Sequence, residues 1–287
     1  MKKRPLSSAT SSAAAATEKR ARLQTSPQSL KNAFRGARRN TVADVLTTYP
    51  WLRSFRCSLD ETPEELHNMT LGDLIECTSY IVIDSPNDVP PPEAMELLPN
   101  QVRVVTNGDY PTGNKVWKLH IKGSTAAELK IAASSLPSDL KEITVSDCKN
   151  LTRLDLGGAP VDDLVVQSCQ NFCHLAGYDK AQGVDIKDCD KFTYLAVQSA
   201  VVEEVCVSEC RNLQNLVVGG AKLLMVTLSD CPELKTVTAR AHALEELDVQ
   251  GCPALAQLDV DHNMKKGARE VRIEGNPSAI IKYSILT

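Results

Sequence analysis

Ten cysteines stand in a chain of 287 residues. Six of them, Cys148, Cys169, Cys189, Cys210, Cys231 and Cys252, follow one another at intervals of 21, 20, 21, 21 and 21 residues. A thiol serves as a metal ligand, a nucleophile or half of a disulfide, so a row this regular is the first place to look for chemistry. The interval itself argues against most of it. Disulfide frameworks belong to short secreted chains that cannot build a core, whereas this chain is long and its thiols share one repeated spacing. Two C-x3-C pairs, Cys169/Cys173 and Cys206/Cys210, carry ligand types suited to zinc. Cys206, however, lies between Val205 and Val207 and alternates away from them, so it faces the opposite side. The expectation is a reduced, buried ladder of thiols with no metal and no cofactor.

Other chemistry is equally sparse. His67, His120, His174, His242 and His262 are scattered, and none stands in an H-E-x-x-H or H-x-x-x-H context. There is no G-x-S-x-G, no P-loop and no G-x-G-x-x-G. Asp147, Asp188, Glu209 and Asp230 precede ladder cysteines, and stacked carboxylates on a parallel β-helix can serve glycoside or pectate chemistry. The same residues also suit a solvated turn between strands. No catalytic residue is assigned, and no small-molecule substrate is expected.

The elements that position these residues follow from the period. Five and three residues before successive landmarks stand Ile143/Val145, Leu164/Val166, Val184/Ile186, Val205/Val207, Val226/Leu228, Leu247/Val249 and Val271/Ile273, the last pair before Asn276. Three and six residues after each cysteine stand Leu151/Leu154, Phe172/Leu175, Phe192/Leu195, Leu213/Leu216, Leu234/Val237 and Leu255/Leu258. Asn276 comes 24 residues after Cys252, past a three-residue insertion around Met264-Lys265-Lys266. An alternating aliphatic pair is a short strand with one face buried. Repetition every 21 residues or so stacks those strands in parallel, because one coil cannot bury its own apolar face. The fold class is therefore a mainly β repeat solenoid of about 21-residue coils with parallel strands, spanning 116–287. Leu119/Ile121 leading to Ser124 marks an earlier, less regular coil.

The segment Leu140-Lys141-Glu142-Ile143-Thr144-Val145-Ser146-Asp147-Cys148-Lys149-Asn150-Leu151 resembles a leucine-rich repeat at each patterned position. Leu136-Pro137-Ser138-Asp139-Leu140 looks like the Leu-Pro lead-in of bacterial effector repeats of the YopM and IpaH type. A second Leu-x-x-Leu-x-Val stretch in each coil is similar to BspA-type bacterial repeats. The chain departs from these families in three ways: Cys stands in place of the usual Asn, Leu-Pro does not recur, and no catalytic ligase domain follows. The resemblance implies that the landmark side chain satisfies loop backbone groups. It also implies a secreted bacterial effector or adaptor that binds a host protein. The alternatives are an intracellular scaffold of the same fold, or a ubiquitin ligase or hydrolase with its site in residues 31–115.

The rest of the chain differs in composition. Residues 1–40 carry ten Lys or Arg against Glu18, a net of +9, which leaves −13 for residues 41–287 within the overall −4. Residues 1–30, rich in Ser and Ala, read as a disordered basic tail. They suit a non-classical, type III-like secretion route into a host cell, a nuclear address through Lys2–Arg4 and Lys19–Arg22, or neither. Cytoplasmic residence is the alternative localisation. Residues 31–115 read as an α-rich cap or adaptor, with apolar helical spacing over 41–46, a helix start at Thr62-Pro63 capped by Glu65, and a strand at Tyr80–Ile83. No run of 18 apolar residues provides a membrane span. The acidity of residues 41–287 disfavours nucleic acid except through the basic tail.

A surface remains. Five residues past each landmark stand Arg153, His174, Tyr194, Asn215, Thr236 and Gln257, and four before it Thr144, Val165, Asp185, Cys206, Thr227, Asp248 and Arg272. Both columns point outward. Arg153, His174, Tyr194, Asn215 and Gln257 are the expected partner-binding residues, because Tyr and Arg anchor protein interfaces.

Overall fold

The computed structural model describes residues 27–284 except 63, 109, 112–114, 132–135, 137–139, 242, 262–269 and 275–279. Most of the basic tail, Pro63, residues 137–139 of the Leu-Pro lead-in, the insertion around Lys265, Asn276, His242 and His262 lie outside the described residues. Among the described residues there are four short helices: α1 (Pro27–Ala37), α2 (Val42–Val45), α3 (Leu71–Cys77) and α4 (Pro92–Met95). α1 therefore begins within the stretch expected to be a tail. Thr41 caps α2 by accepting from the Asp44 amide, and Thr70 caps α3 in the same way from Asp73. The expected start at Thr62 makes its cap, with the Thr62 amide donating to the Glu65 carboxylate at 2.6 Å. Residues 64–68 nevertheless form only turns.

The strands follow one logic. β1 (Phe55–Arg56), β2 (Tyr80–Ile83), β3 (Val102–Thr106) and β4 (Val116–Lys122) lead into β6 (Glu142–Ser146), β8 (Asp163–Gln167), β10 (Gly183–Lys187), β12 (Glu204–Ser208), β14 (Met225–Ser229), β16 (Glu246–Gln250) and β18 (Glu270–Ile273). These eleven form one sheet in that order, all parallel except for the β1–β2 pair. The second wall is divided. β5 (Glu128–Lys130), β7 (Arg153–Asp155) and β9 (His174–Ala176) make three strands. β11 (Tyr194–Gln198), β13 (Asn215–Gly220), β15 (Thr236–Ala241), β17 (Gln257–Asp261) and β19 (Ile280–Ser284) make five. The parallel solenoid of stacked coils expected from the period is what the chain forms. Its sheet crosses residue 116 without a break, because β2 and β3 pair in parallel with each other and β3 pairs in parallel with β4.

The core is the space between the walls. The aliphatic pairs from Ile143/Val145 to Leu247/Val249 are at most 2% exposed, and so are all six ladder cysteines. Val271 and Ile273, near the end of the stack, are only partly buried. Two further inward columns join them: Leu140, Val161, Ala181, Val202, Leu223 and Leu244 before each first strand, and Leu156, Val197, Val218, Ala239 and Val260 in the second wall. Phe172 and Phe192 meet edge to face at 4.9 Å in adjacent coils. At the amino-terminal end Phe34, Tyr49, Trp51 and Phe55 form an aromatic cluster with centroids 4.9–5.9 Å apart.

Where the second wall should carry an aliphatic between Leu156 and Val197 the chain has Gly177. The one residue missing from the 20-residue coil is lost at this corner, between Gly177 and Ala181. β9 and β11 consequently do not pair. Tyr178 spans the gap: its hydroxyl donates to the Ala196 carbonyl at 2.7 Å and accepts from the Gln198 amide. Gly177 has φ +67, and a Cβ there would lie 2.5 Å from the Gly157 nitrogen. Only glycine fits both the backbone and the space.

Two expectations follow. Leu216→Ala should cost about 2–5 kcal/mol, as for a fully buried leucine, and Gly177→Ala about 1–3 kcal/mol from left-handed strain and collision. Gln257→Ala, on the outer face, should stay within about 0.5 kcal/mol. Urea midpoints at constant m-value check all three, and equal losses at Leu216 and Gln257 would refute the inward and outward assignment.

Candidate functional site

The landmark corner comes first, since it carries the thiols and the stacked acids. Asp147, Ser168, Asp188, Glu209 and Asp230 all have φ between 50 and 56. Gly123 and Gly251 occupy the same corner in other coils with φ 64 and 59. Left-handed backbone is a position for Gly and, among other residues, most readily for Asp and Asn. The corner amides of Gly123, Asp147, Ser168, Asp188, Glu209 and Asp230 each donate to a carbonyl of the next coil, as Asp188 does to Ser208 and Asp230 to Gln250 at 3.0 and 3.1 Å. The row of acids is thus accounted for by backbone geometry. Among the described residues one of these acids, Glu209, forms an ion pair, with Lys187 at 3.0 Å.

One residue further on, the thiols point inward. Cys148, Cys169, Cys189, Cys231 and Cys252 lie 3.2–3.4 Å from the carbonyl two residues earlier, towards which their S–H can donate. Cys210 reaches the Ile186 carbonyl at 3.9 Å. The ladder thus satisfies corner backbone groups. Burial pushes the Cys189 and Cys210 thiols up to about 12. Donation to Cys148, reinforced by burial, also raises Cys169. Asn150, Asn171 and Asn212 tie successive corners from outside, each side-chain amide donating to a carbonyl of the preceding coil at 2.7–3.3 Å. Cys173 is exposed and Cys206 half-buried on the outer face, apart from the ladder. No group of three or more metal-ligating side chains occurs among the described residues. The remaining two cysteines, Cys57 and Cys77, are joined as a disulfide with Cα atoms 5.1 Å apart.

The expected binding column is divided between the two halves of the second wall. Arg153 pairs in register with His174 on β7 and β9. Tyr194 pairs with Asn215 on β11 and β13, and Thr236 separates Asn215 from Gln257. Tyr194 is 54% exposed, and His174 is also exposed. Asn215 accepts from the Thr236 hydroxyl at 2.7 Å, Gln257 donates to Asp259 at 2.8 Å, and Arg153 lies 3.9 Å from Asp155. Asn215 and Gln257 therefore already have partners on the face. His174 and Tyr194 present the freer surface, and Arg153 faces outward beside Asp155.

The outer face of the long sheet holds further residues, which a single outward column does not reveal. In register run Arg103, Lys118, Glu142, Asp163, Gly183, Glu204, Met225 and Glu246. Beside them run His120, Thr144, Val165, Asp185, Cys206, Thr227 and Asp248. The amino-terminal end is cationic and aromatic: the Arg103 guanidinium lies 5.2 Å from the Trp117 ring centre and the Lys118 ammonium 5.1 Å. Lys118 also pairs with Glu142. From there the face turns acidic. A depression of about 280 Å3 is lined by Glu142, Asp163, Val165, Asp185, Glu204 and Cys206, with Gly183 in its lining. A Cβ on Gly183 would lie 2.6 Å from the Asp163 carboxylate, so the absent side chain makes the notch.

Electrostatics inside this depression are strained. Burial, then the like charges of Glu142, Asp162 and Glu204, raise the Asp163 carboxyl. Burial raises Asp185, with Lys187 opposing and Glu204 adding. Burial and the Glu204 charge push Cys206 up to about 12. Partial burial opposes ionisation of Glu142, but hydrogen bonds from Lys118 and Thr144 outweigh it and hold that carboxyl below its usual range. The signal for this site was present in the period itself, six residues before each cysteine.

No protein-family model matches the chain, and no curated protein matches it.

Native thiol reactivity should divide accordingly. Cys173 should react with a thiol probe at once, whereas Cys189 and Cys210 should react only on unfolding. Their raised folded pKa means that the unfolded chain loses thiol protons first, from about 8.5. That contribution to stability is intact below this pH and falls as pH rises towards about 12. Urea midpoints between pH 7 and 11 check the sign, and replacing Cys189 and Cys210 by Ala should flatten the alkaline loss.

Proposed function

We propose that this chain is a protein-binding solenoid that recognises its partner through the second wall. The observation that carries the proposal is Tyr194, a large aromatic left 54% exposed on a strand whose inner neighbours Leu195 and Val197 are buried. A side chain held on a packed sheet loses little order on binding, and tyrosine is among the favoured anchors of interfaces. Arg153 and His174, on the adjoining short sheet, extend the surface. Such a broad face suits a protein better than a small ligand, which needs a concave apolar pocket.

The leucine-rich-repeat resemblance and the delivery it implies belong to the same proposal. In this reading the protein is a bacterial effector or adaptor that reaches a host cell by a type III-like route. The Ser-rich basic start and the repeat pattern support it, and an intracellular scaffold is the alternative. Residues 31–115 contribute three strands to the long sheet, which supports reading them as the first part of the binding module rather than a catalytic unit.

The test is capture from host and bacterial lysates by the full chain, with the retained protein identified by mass spectrometry and its affinity measured after purification. Tyr194→Ala with Arg153→Ala should lower that affinity at least tenfold while the circular dichroism spectrum stays unchanged. Undiminished affinity in the double variant would overturn the second wall as the reader.

A further inference from the structure

The long sheet's acidic face has no part in that reading, yet it is the most polarised surface described. Glu142, Asp163, Asp185, Glu204, Glu246 and Asp248 stand on it in two adjacent columns. Among the described residues only Glu142 of these six forms an ion pair with a basic side chain, Lys118. Among the corner acids, too, one of four is ion-paired, Glu209 with Lys187, so what sets the sheet face apart is that its carboxylates gather in two adjacent columns. The face is a sheet with little relief except the notch at Gly183. Val165 and Met225 lie among its carboxylates in register, and apolar side chains in that place can carry the methylene stems of Lys and Arg.

The same chain carries a segment of the opposite sign. Residues 1–26 hold Lys2, Lys3, Arg4, Lys19, Arg20 and Arg22 against Glu18, a net of +5. They join the described structure at Pro27, the first residue of α1, and Phe34 of α1 stacks on Trp51 at the β1 end of the stack. From β1 to β16 is nine inter-strand steps in the sheet order, or about 43 Å at 4.8 Å each. The cluster at 2–4, 23–25 residues before Pro27, reaches about 75–85 Å and so spans the face, whereas the cluster at 19–22, 5–8 residues before Pro27, reaches about 16–26 Å, which brings it to the near end at Glu142 and Asp163.

We propose that the acidic outer face of the long sheet is the docking surface for the basic amino-terminal segment of the same chain, residues 1–26. The clusters at 2–4 and 19–22 add cations where the sheet's carboxylates outnumber the basic side chains beside them, Lys118 and Lys187. Asp163 and Asp185, whose ionisation is opposed by burial and by like charge, are the groups that gain most from an added cation. Ion pairs on a solvated face are screened, so the contact is reversible and opens as salt rises above physiological strength. It leaves the second wall uncovered, and therefore stands or falls apart from the partner proposal.

Zero-length carbodiimide coupling of the full-length protein, with peptide mapping by mass spectrometry, tests the contact. Isotope-labelled and unlabelled protein are mixed so that links within one chain are told from links between two. The expected result is intrachain coupling of Lys2 or Lys3 to Glu142, Asp163, Asp185 or Glu204, and of Lys19 to Glu142 or Asp163. It should fall at least fivefold in 1 M salt and in a variant carrying Lys2→Glu, Lys3→Glu, Arg4→Glu, Lys19→Glu, Arg20→Glu and Arg22→Glu. In that variant the carbon-13 titrations of Asp163 and Asp185 should move up in pH relative to the unaltered chain. Coupling spread equally over the corner acids Asp188, Glu209 and Asp230 would overturn the proposal. So would coupling confined to mixed-label pairs, which would assign the face to a second copy, and so would titrations unmoved by the six changes.

Discussion

The parallel ladder between coils is the constraint on which everything else rests. A coil has no hydrogen-bonding partner within itself for the outward-directed amides and carbonyls of its strands. Its neighbours supply them, at the corner as well as along the strand, where the left-handed residues Asp147, Ser168, Asp188, Glu209 and Asp230 donate to the carbonyl of the following coil. Because unpaired buried backbone groups are costly, the period cannot drift. One residue too few in the coil after Cys169 does not shift the long sheet, whose register from β8 to β10 to β12 is uninterrupted. The deficit is instead discharged at the far corner, through Gly177, and breaks only the weaker second wall. There the Tyr178 hydroxyl bonds to the backbone of β11, so a side chain takes over part of what strand pairing does elsewhere.

The same constraint explains why cysteine occupies the landmark. The side chain must enter a fully buried column while facing carbonyls, so it has to be small, weakly polar and able to donate. A thiol meets that requirement with little desolvation cost. Burial then holds Cys189 and Cys210 protonated, while hydrogen bonds from the neighbouring ladder thiols Cys169 and Cys231 lower Cys148, to about 7, and Cys252. The exposed thiol of the solenoid stands outside the pattern, at Cys173. Chemistry and periodicity are in this sense opposed: what every coil repeats is what every coil needs for stacking.

Much of this was legible in the residues. Aliphatic alternation around Cys148 through Cys252 carried the inward columns and the parallel stack, because burial selects the same residue class wherever the geometry repeats. Tyr80–Ile83 was legible as a strand but its place in the long sheet was not. No landmark residue stands near it to set register, and pairing between β2 and β3 links positions 23 residues apart across unrelated sequence. The helix expected after Thr62 has its cap but not its continuation, since a cap fixes a start and packing decides length. The outward direction of Arg153, His174, Tyr194, Asn215 and Gln257 was legible but their pairing was not: alternation tells outward from inward, whereas the break at Gly177 depends on a collision with Gly157 that no single coil reveals. Outwardness alone likewise could not show which columns gather charge. That emerges only when Glu142, Asp163 and Glu204 are set side by side.

Charge is then the property that distinguishes the two walls. Both are rigid and both are built on the same core, but one presents Arg153, His174 and Tyr194 and the other a field of carboxylates. A solenoid is bound to have two such faces, because each coil contributes one strand to each wall and stacking forces like positions into columns. Any charged position in the repeat therefore becomes a line of like charge, and its repulsion grows with every coil added. Gly183, Met225 and Thr227 interrupt those lines, and Lys118 closes one end. These interruptions leave the long sheet stable as a structure while Asp163 and Asp185 stay poorly compensated. A face in that condition favours a flexible cation over a rigid one, since a rigid partner would have to match the twist of six strands. Side chains on a linear segment can settle independently on each carboxylate.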